Sequence, residues 1–275
     1  MYLSKNFCYL ELHRTGSTHI SDLLKKYCPD GKLMGFHNRA DQKTYNSDIF
    51  FLGSIRNPWD WYVSLWGKGC DKIGEPYKRL TTKKFYFNNI GLKTKPFLAP
   101  YVFAQQLNKP LEKWRKLYSD SKNLKNFRSW LKLILNERIY DEGSGFGLSS
   151  IHRFSGHLTF RYLTLYLRKK DGLFKKSISN INELKILDEN LNILNYTIKN
   201  ENLEDNFLEF LNKINIKVNS NQRQIIKSSA YEKPKKSSRI SNFLEYYDQE
   251  CIDLVFNRER LIIDKYNYDF KKNNI

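Results

Sequence analysis

At 275 residues the chain is long enough for one sizeable α/β domain with a continuous core. Aromatic residues, 15% of the total, supply large buried areas where overall apolar content is only 40%. The excess of 47 basic over 29 acidic residues gives a formal charge of +18, which attracts polyanions, anionic lipid surfaces or anionic cofactors; a bias of the coding sequence toward Lys, Asn and Ile is the blander source. No apolar run approaches the length of a membrane span, and Cys8, Cys28, Cys70 and Cys251 have neither paired nor zinc-ligand spacing, so a membrane-spanning chain and a zinc or disulfide scaffold are excluded.

The chain enters its first strand almost at once, which leaves no room for a signal peptide; a cytoplasmic microbial or viral protein with free thiols is expected. Phe7-Cys8-Tyr9-Leu10-Glu11-Leu12 reads as a buried strand. His13 to His19 breaks it with small, hydroxylated and basic residues, and Ile20, Leu23, Leu24 and Tyr27 then share one helical face. Strand, small-residue loop and helix together make an anion cradle. Gly16 allows close approach, the first helical turn offers free N–H groups, Ser17 and Thr18 add hydroxyls, and Arg14 adds a permanent cation. The cradle is not a Walker A loop, because Ser17 stands where that motif needs Lys.

Further along, Pro29-Asp30-Gly31 is a turn, Leu33 to Phe36 a short strand ending at His37, and Asn38 to Asn46 a polar loop. Asp48 to Ile55 is a second buried strand. Arg56-Asn57-Pro58 follows, with Pro58 suited to the first turn of an aromatic helix from Trp59 through Trp66. Residues 71–100 read as long basic and aromatic loops over the core. Leu124 to Ile139 is a helix, the glycines between Gly143 and Gly147 interrupt, and Phe160, Leu163, Leu165 and Tyr166 belong to another helix. Ile193 to Ile198 is a late strand, Asn200 opens the next helix, and Lys233 to Arg239 is a basic loop ahead of a long amphipathic segment from Phe243 to Tyr266. No internal repeat or domain linker is evident. The repeated strand–loop–helix pattern predicts one α/β domain over residues 1–275. Its central, mostly parallel sheet carries helices on both faces, with residues 7–12 and 49–55 as neighbouring parallel strands.

Arg14-Thr15-Gly16-Ser17-Thr18 resembles the 5′-phosphosulfate loop of sulfotransferases that use 3′-phosphoadenosine 5′-phosphosulfate (PAPS): Lys or Arg, Ser or Thr, Gly, then two Ser or Thr. Arg56, at the end of a strand, and Ser64, two helical turns on, are similar to that family's 3′-phosphate motif. Glu201-Asn202-Leu203, the Lys233–Arg239 loop and the aromatic tail Tyr268-Asp269-Phe270 resemble its later parts. The resemblance implies a P-loop-like sulfotransferase architecture, with a cofactor core at 7–66 and 193–270 and acceptor-shaping helices and loops at 67–190. It also implies that Arg14, Thr15, Gly16, Ser17 and Thr18 hold the 5′ side of PAPS, that Arg56 and Ser64 hold the 3′-phosphate, that the basic loop with Arg239 helps cover the cofactor, and that His19 stacks on adenine. Arg14 would stabilise the leaving phosphate electrostatically, and no metal is expected. The acceptor hydroxyl, or an amine, needs a base. His37 is the first candidate; His13, His19, Asp41 and Glu11 follow, and His152 and His157 are candidates for the acceptor pocket. A glycan or glycolipid acceptor suits the basic surface, peripheral membrane contact is compatible with it, and no motif supports specific nucleic-acid binding. The alternative is a catalytically silent nucleotide- or polyanion-binding protein that retains the cradle.

Overall fold

The computed structural model describes residues 1–84, 90–135, 145–170, 172–175, 178–232 and 238–271. Its centre is a five-stranded sheet in the order β3-β1-β2-β4-β5: β1 (Tyr2–Leu3), β2 (Phe7–Tyr9), β3 (Lys32–Leu33), β4 (Phe50–Ile55) and β5 (Tyr196–Lys199). β2 pairs parallel with β4, Cys8 opposite Phe51, and β4 pairs parallel with β5, Gly53 opposite Thr197. β1 is antiparallel to both β2 and β3, so the sheet is mixed. Residues 7–9 and 50–55 are thus the neighbouring parallel strands expected, shortened at both ends. β3 lies two places from β2 but runs in the same direction, so the chain leaving it heads for the edge where β2 and β4 end.

Period-two alternation sorts the core into two clusters. Phe7, Tyr9 and Leu52 join α1 (Ser17–Tyr27) through Ile20, Leu23 and Leu24. Cys8, Leu10 and Phe51 belong to a larger cluster. The next helices are α2 (Gln42–Tyr45) and α3 (Pro58–Cys70). α3 is apolar nearly all round and correspondingly buried, from Trp59 through Gly67. Asn57 caps it, its side-chain oxygen accepting from the N–H groups of Trp59 (3.0 Å) and Asp60 (3.4 Å).

The region read as loops over 71–100 contains α4 (Glu75–Thr81), α5 (Ile90–Thr94) and the start of α6 (Ala99–Leu107). Helices this short are marginal by propensity and form on packing. α7 (Leu111–Leu117), α8 (Leu124–Ile134), α9 (His157–Tyr166), α10 (Gly172–Lys175) and α11 (Ile181–Leu191) complete the middle of the chain. The expected extension of α8 to Ile139 lies outside the described residues. α12 (Leu203–Lys213) and α13 (Ser220–Ser228) follow β5, and Leu203, Phe207, Phe210, Leu211 and Ile226 pack on the α1 side of the sheet.

The amphipathic segment 243–266 is not one helix but a turn, α14 (Gln249–Arg258) and α15 (Arg260–Tyr266). Glu259 makes the break. Its fully buried carboxylate accepts from Tyr62 Oη, from the N–H groups of Leu158 (3.0 Å) and Thr159 (2.8 Å), and from Thr159 Oγ1 (2.6 Å). It therefore stands at the otherwise uncapped N-terminus of α9, where a negative charge is favoured. Among the described residues no helix is long and apolar enough to cross a membrane. All four cysteines are free, and burial pushes each thiol up to about 12, which favours the protonated thiol.

Candidate functional site

The site lies where β2 and β4 end. Leu10 still pairs with β4, its N–H donating to the Leu52 carbonyl at 2.9 Å, after which the two chains diverge. Tyr166 fills the gap: its hydroxyl accepts from the Ser54 N–H (3.0 Å) and lies 3.2 Å from the Leu10 carbonyl. Gly53 makes room for Leu194, whose methyl groups a Cβ would meet at 2.7 and 2.8 Å, and for the Tyr166 ring at 3.1 Å.

The loop from His13 to Gly16 then turns into α1 through two left-handed residues, Arg14 (φ 65°) and Gly16 (φ 77°). At Arg14 that conformation is a strained choice, of the kind that clusters at ligand clamps. Gly16 is needed twice, for its φ and because a Cβ would sit 2.6 Å from Leu203 Cδ1 and 2.7 Å from Asn200 Oδ1. No side chain caps α1 and its first turn holds no acidic residue, so the positive end of the helix is open to an anion. Gly16→Ala should lower stability by about 1–3 kcal/mol in urea unfolding, the range for forcing a side chain into such backbone. An unchanged midpoint would contradict this reading of the loop.

Thr15 departs from expectation. Its side chain is fully buried, donates to the Leu12 carbonyl (2.8 Å) and lies 2.6 Å from Ser54 Oγ, which in turn is 3.0 Å from Tyr9 Oη. That hydroxyl shapes the loop from inside and is unavailable to a ligand. Ser17 and Thr18 are the first two residues of α1, half-buried and exposed respectively.

Three guanidinium groups converge beside this helix end. Arg14 donates to Ser64 Oγ from Nε (2.9 Å) and from one terminal nitrogen (2.6 Å), which joins the two halves of the expected phosphate site. Arg56 donates from Nε to Asp60 Oδ2 (2.7 Å) and from a terminal nitrogen to the Arg14 carbonyl (3.2 Å). Arg239 reaches the other oxygen of Asp60 at 2.6 Å; most of the basic loop before it, Lys233 to Ser237, lies outside the described residues. Asp60 is the residue that sequence reading missed. Its position four residues after Arg56 at a helix start was the available signal. Burial alone would raise its carboxyl, but Arg56 and then Arg239 more than offset this and hold it below the usual carboxylate range. Asp60 stands among the three guanidiniums, and the carboxylates of Asp71 and Glu201 also act on Arg14 and Arg56 respectively. Burial first, and then Arg56 and Arg239, push Arg14 down to about 10, with Asp60 and Asp71 opposing the shift.

The later motifs meet the same place from behind. Glu201 accepts from the Asn57 N–H (2.6 Å) and from Tyr268 Oη (3.1 Å), and Asn57 Nδ2 donates to the Asp269 carbonyl (3.3 Å). These contacts fix the turn that presents Arg56. His19 does not present a free ring: Nε2 lies 3.0 Å from Glu204 Oε1 and 3.3 Å from Ser229 Oγ, toward α12 and α13.

His37 reaches the site from β3 and stacks on His13, ring centroids 3.6 Å apart. It too is left-handed, φ 56°. Its Nδ1 lies 3.0 Å from the Glu11 carbonyl, which only accepts, so Nδ1 carries the proton and neutral His37 keeps a lone pair on Nε2. Burial lowers its pKa, partly opposed by the hydrogen bond to Glu11 and the charge of that residue. His13 is pushed down to about 2 by burial, with Arg161 and His37 adding to the effect. Glu11 is buried and accepts from the Met1 amino group (2.7 Å), Ser21 Oγ (2.6 Å) and the His37 N–H (3.2 Å). Asp41 caps α2 by accepting from the Thr44 N–H at 2.7 Å. Of the five base candidates, His37 is the one whose tautomer is fixed by a backbone carbonyl, which leaves Nε2 as the accepting nitrogen. His157 is buried against the Phe146 ring, and His152 Nδ1 lies 2.6 Å from the Ser149 carbonyl, so the first is core and the second is tied to its own turn. Among the described residues no cluster of His, Cys, Asp or Glu is placed to hold a metal.

The neutral His13 predicts an acid sensitivity. Its folded pKa lies below the unfolded value of 6.5, so below pH 6.5 the unfolded state binds more protons and stability falls as pH drops toward about 2. The two units below 6.5 should cost roughly 2–3 kcal/mol. His13→Asn should flatten that slope in denaturant titrations between pH 7 and 4.5. An unaltered slope would contradict it.

No family model, curated protein or solved structure matches the chain.

Proposed function

We propose that the protein is a PAPS-dependent sulfotransferase of P-loop-like architecture that acts in the cytoplasm on a hydroxyl or amine acceptor of a glycan or glycolipid. One observation carries this reading. Arg14 and Ser64 are joined by two hydrogen bonds, beside the Arg56–Asp60–Arg239 cluster and an uncapped helix N-terminus. Guanidiniums next to free backbone N–H groups support a ligand that carries phosphate. The cofactor would supply a sulfuryl group whose departure leaves added negative charge on a phosphate oxygen.

Arg14 would answer that charge, with Ser17, Thr18 and the first N–H groups of α1. Even at about 10 its guanidinium stays charged, so its part is electrostatic rather than proton donation. Arg56 would hold the 3′-phosphate, with Arg239 joining it once Asp60 shares it; Ser64 is buried and accepts both Arg14 bonds, so its part would be to aim that guanidinium and offer its own proton. Asp60 orients the Arg56 and Arg239 guanidiniums. His37 would take the acceptor proton on Nε2, its Nδ1–H fixed on the Glu11 carbonyl.

A silent nucleotide-binding protein is the second reading. In its favour, Arg56 and Arg239 are already paired with Asp60. Transfer of labelled sulfate from PAPS to a panel of glycans, lipids and small alcohols separates the two. Incorporation supports the enzyme. Nucleotide binding with no incorporation into any acceptor supports the silent protein.

A further inference from the structure

Helix α6 buries one apolar and one polar side chain and turns large apolar ones outward. Its buried residues are Val102 and Gln106; Val102 sits in a small satellite core with Leu92 and Leu148, and Gln106 Oε1 accepts from Lys109 Nζ at 2.6 Å. Its outward residues are apolar. Tyr101 is 64% exposed and Leu107 54%, and Phe97, in the turn Pro96–Leu98 that leads into the helix, is 70% exposed. Large apolar side chains repeated along one outward face mark a contact surface.

The charge along this stretch of chain points to the partner: Lys93 lies on α5, which packs on the Pro96–Leu98 turn, and Lys109 ties the end of α6 to the end of α4. Between Pro76 and Leu111 there are seven basic residues and no acidic one. Lys95 and Lys109 turn inward, onto the Leu148 and Arg79 carbonyls, but Lys83, Lys84 and Lys93 are exposed. Aromatic rings that settle at headgroup depth, flanked by lysines with no carboxylate among them, form the composition of an interfacial anchor for acidic lipid. A second copy of the chain would instead bring the same cationic segment against itself.

We propose that the α6 face, with Phe97, Tyr101 and Leu107 as its apolar contacts and Lys83, Lys84 and Lys93 as its cations, docks the protein on an anionic bilayer surface. This stands apart from the sulfuryl-transfer reading, and its test needs no nucleotide.

The full chain is sedimented with phosphatidylcholine vesicles, with and without phosphatidylserine. Binding should be at least about ten-fold tighter with the acidic lipid. Reversing Lys83, Lys84 and Lys93 together to Glu should weaken it by about a hundred-fold. Phe97→Ser with Tyr101→Ser should weaken it by about ten-fold with an unchanged melting temperature, since both side chains are exposed. The control reverses Lys5, Lys122 and Lys217, exposed lysines elsewhere, for the same change in net charge. It should bind like the parent. Equal loss in the control would show that only the overall +18 matters and would overturn the proposal. So would an absence of binding to acidic vesicles, or a dimer in sedimentation equilibrium that Phe97→Ser dissociates.

Discussion

His37→Ala is expected to lower turnover by about two to four orders of magnitude, the usual contribution of a positioned general base, while nucleotide affinity changes little. The expectation rests on geometry. The Glu11 carbonyl fixes the proton on Nδ1 and leaves Nε2 able to accept. His13, stacked beneath it and pushed down to about 2, is too weak a base to compete. Glu11 is fully occupied by donors and Asp41 is a helix cap. The pH profile adds a second readout. Burial lowers the His37 pKa, so the acid limb of kcat/KM should fall below the ordinary 6.5, with activity level above it. His37→Ala should abolish that limb. Full activity in the variant would remove His37 from the mechanism and turn attention to His19.

Arg56→Ala is expected to weaken adenosine 3′,5′-bisphosphate by about one to two orders of magnitude, because a charge-assisted Arg–phosphate contact contributes about 1.5–3 kcal/mol. Adenosine 5′-monophosphate, which has no 3′-phosphate, should bind the variant and the parent alike. Arg56 also braces the loop by donating to the Arg14 carbonyl, so some loss at the 5′ side is a real alternative. Calorimetry with both nucleotides on both proteins distinguishes them. Equal weakening of the two would mean that Arg56 supports the loop and not the 3′ site. Ser64→Ala should cost less, about 0.5–1.5 kcal/mol, since its hydroxyl is a neutral partner.

Local pattern was enough for the elements that build the cradle. The apolar run at Phe7, the run ending at Ile55 and the small residues between His13 and His19 are each set by neighbours in sequence. They stand as the parallel pair β2–β4 and the loop into α1. Pro58 at the start of α3 is of the same kind. The two-residue strand β1 has no periodicity to read, and its insertion makes the sheet mixed. The break at Glu259 follows from a carboxylate drawn to the α9 N-terminus, about 100 residues away in the chain, which no window of sequence contains. Thr15 fits the phosphate-loop pattern by type, yet its hydroxyl turns to Leu12 and Ser54; residue type does not specify rotamer. Asp60 was recognisable as a partner of Arg56, but its second bond, to Arg239, joins residues 179 apart and exists only in the fold.

Thermal unfolding with adenosine 3′,5′-bisphosphate and a chelator present tests the central claim most directly. A ligand that binds only the folded state adds about 2.7 kcal/mol at a hundred times its dissociation constant, a rise of about 5–10 °C for a chain of this size. The predicted result is such a rise with the bisphosphate, a much smaller one with adenosine 5′-monophosphate at equal concentration, and no dependence on divalent metal. A melting temperature that neither nucleotide moves at millimolar concentration, in a folded sample, would contradict the assignment of this site to PAPS.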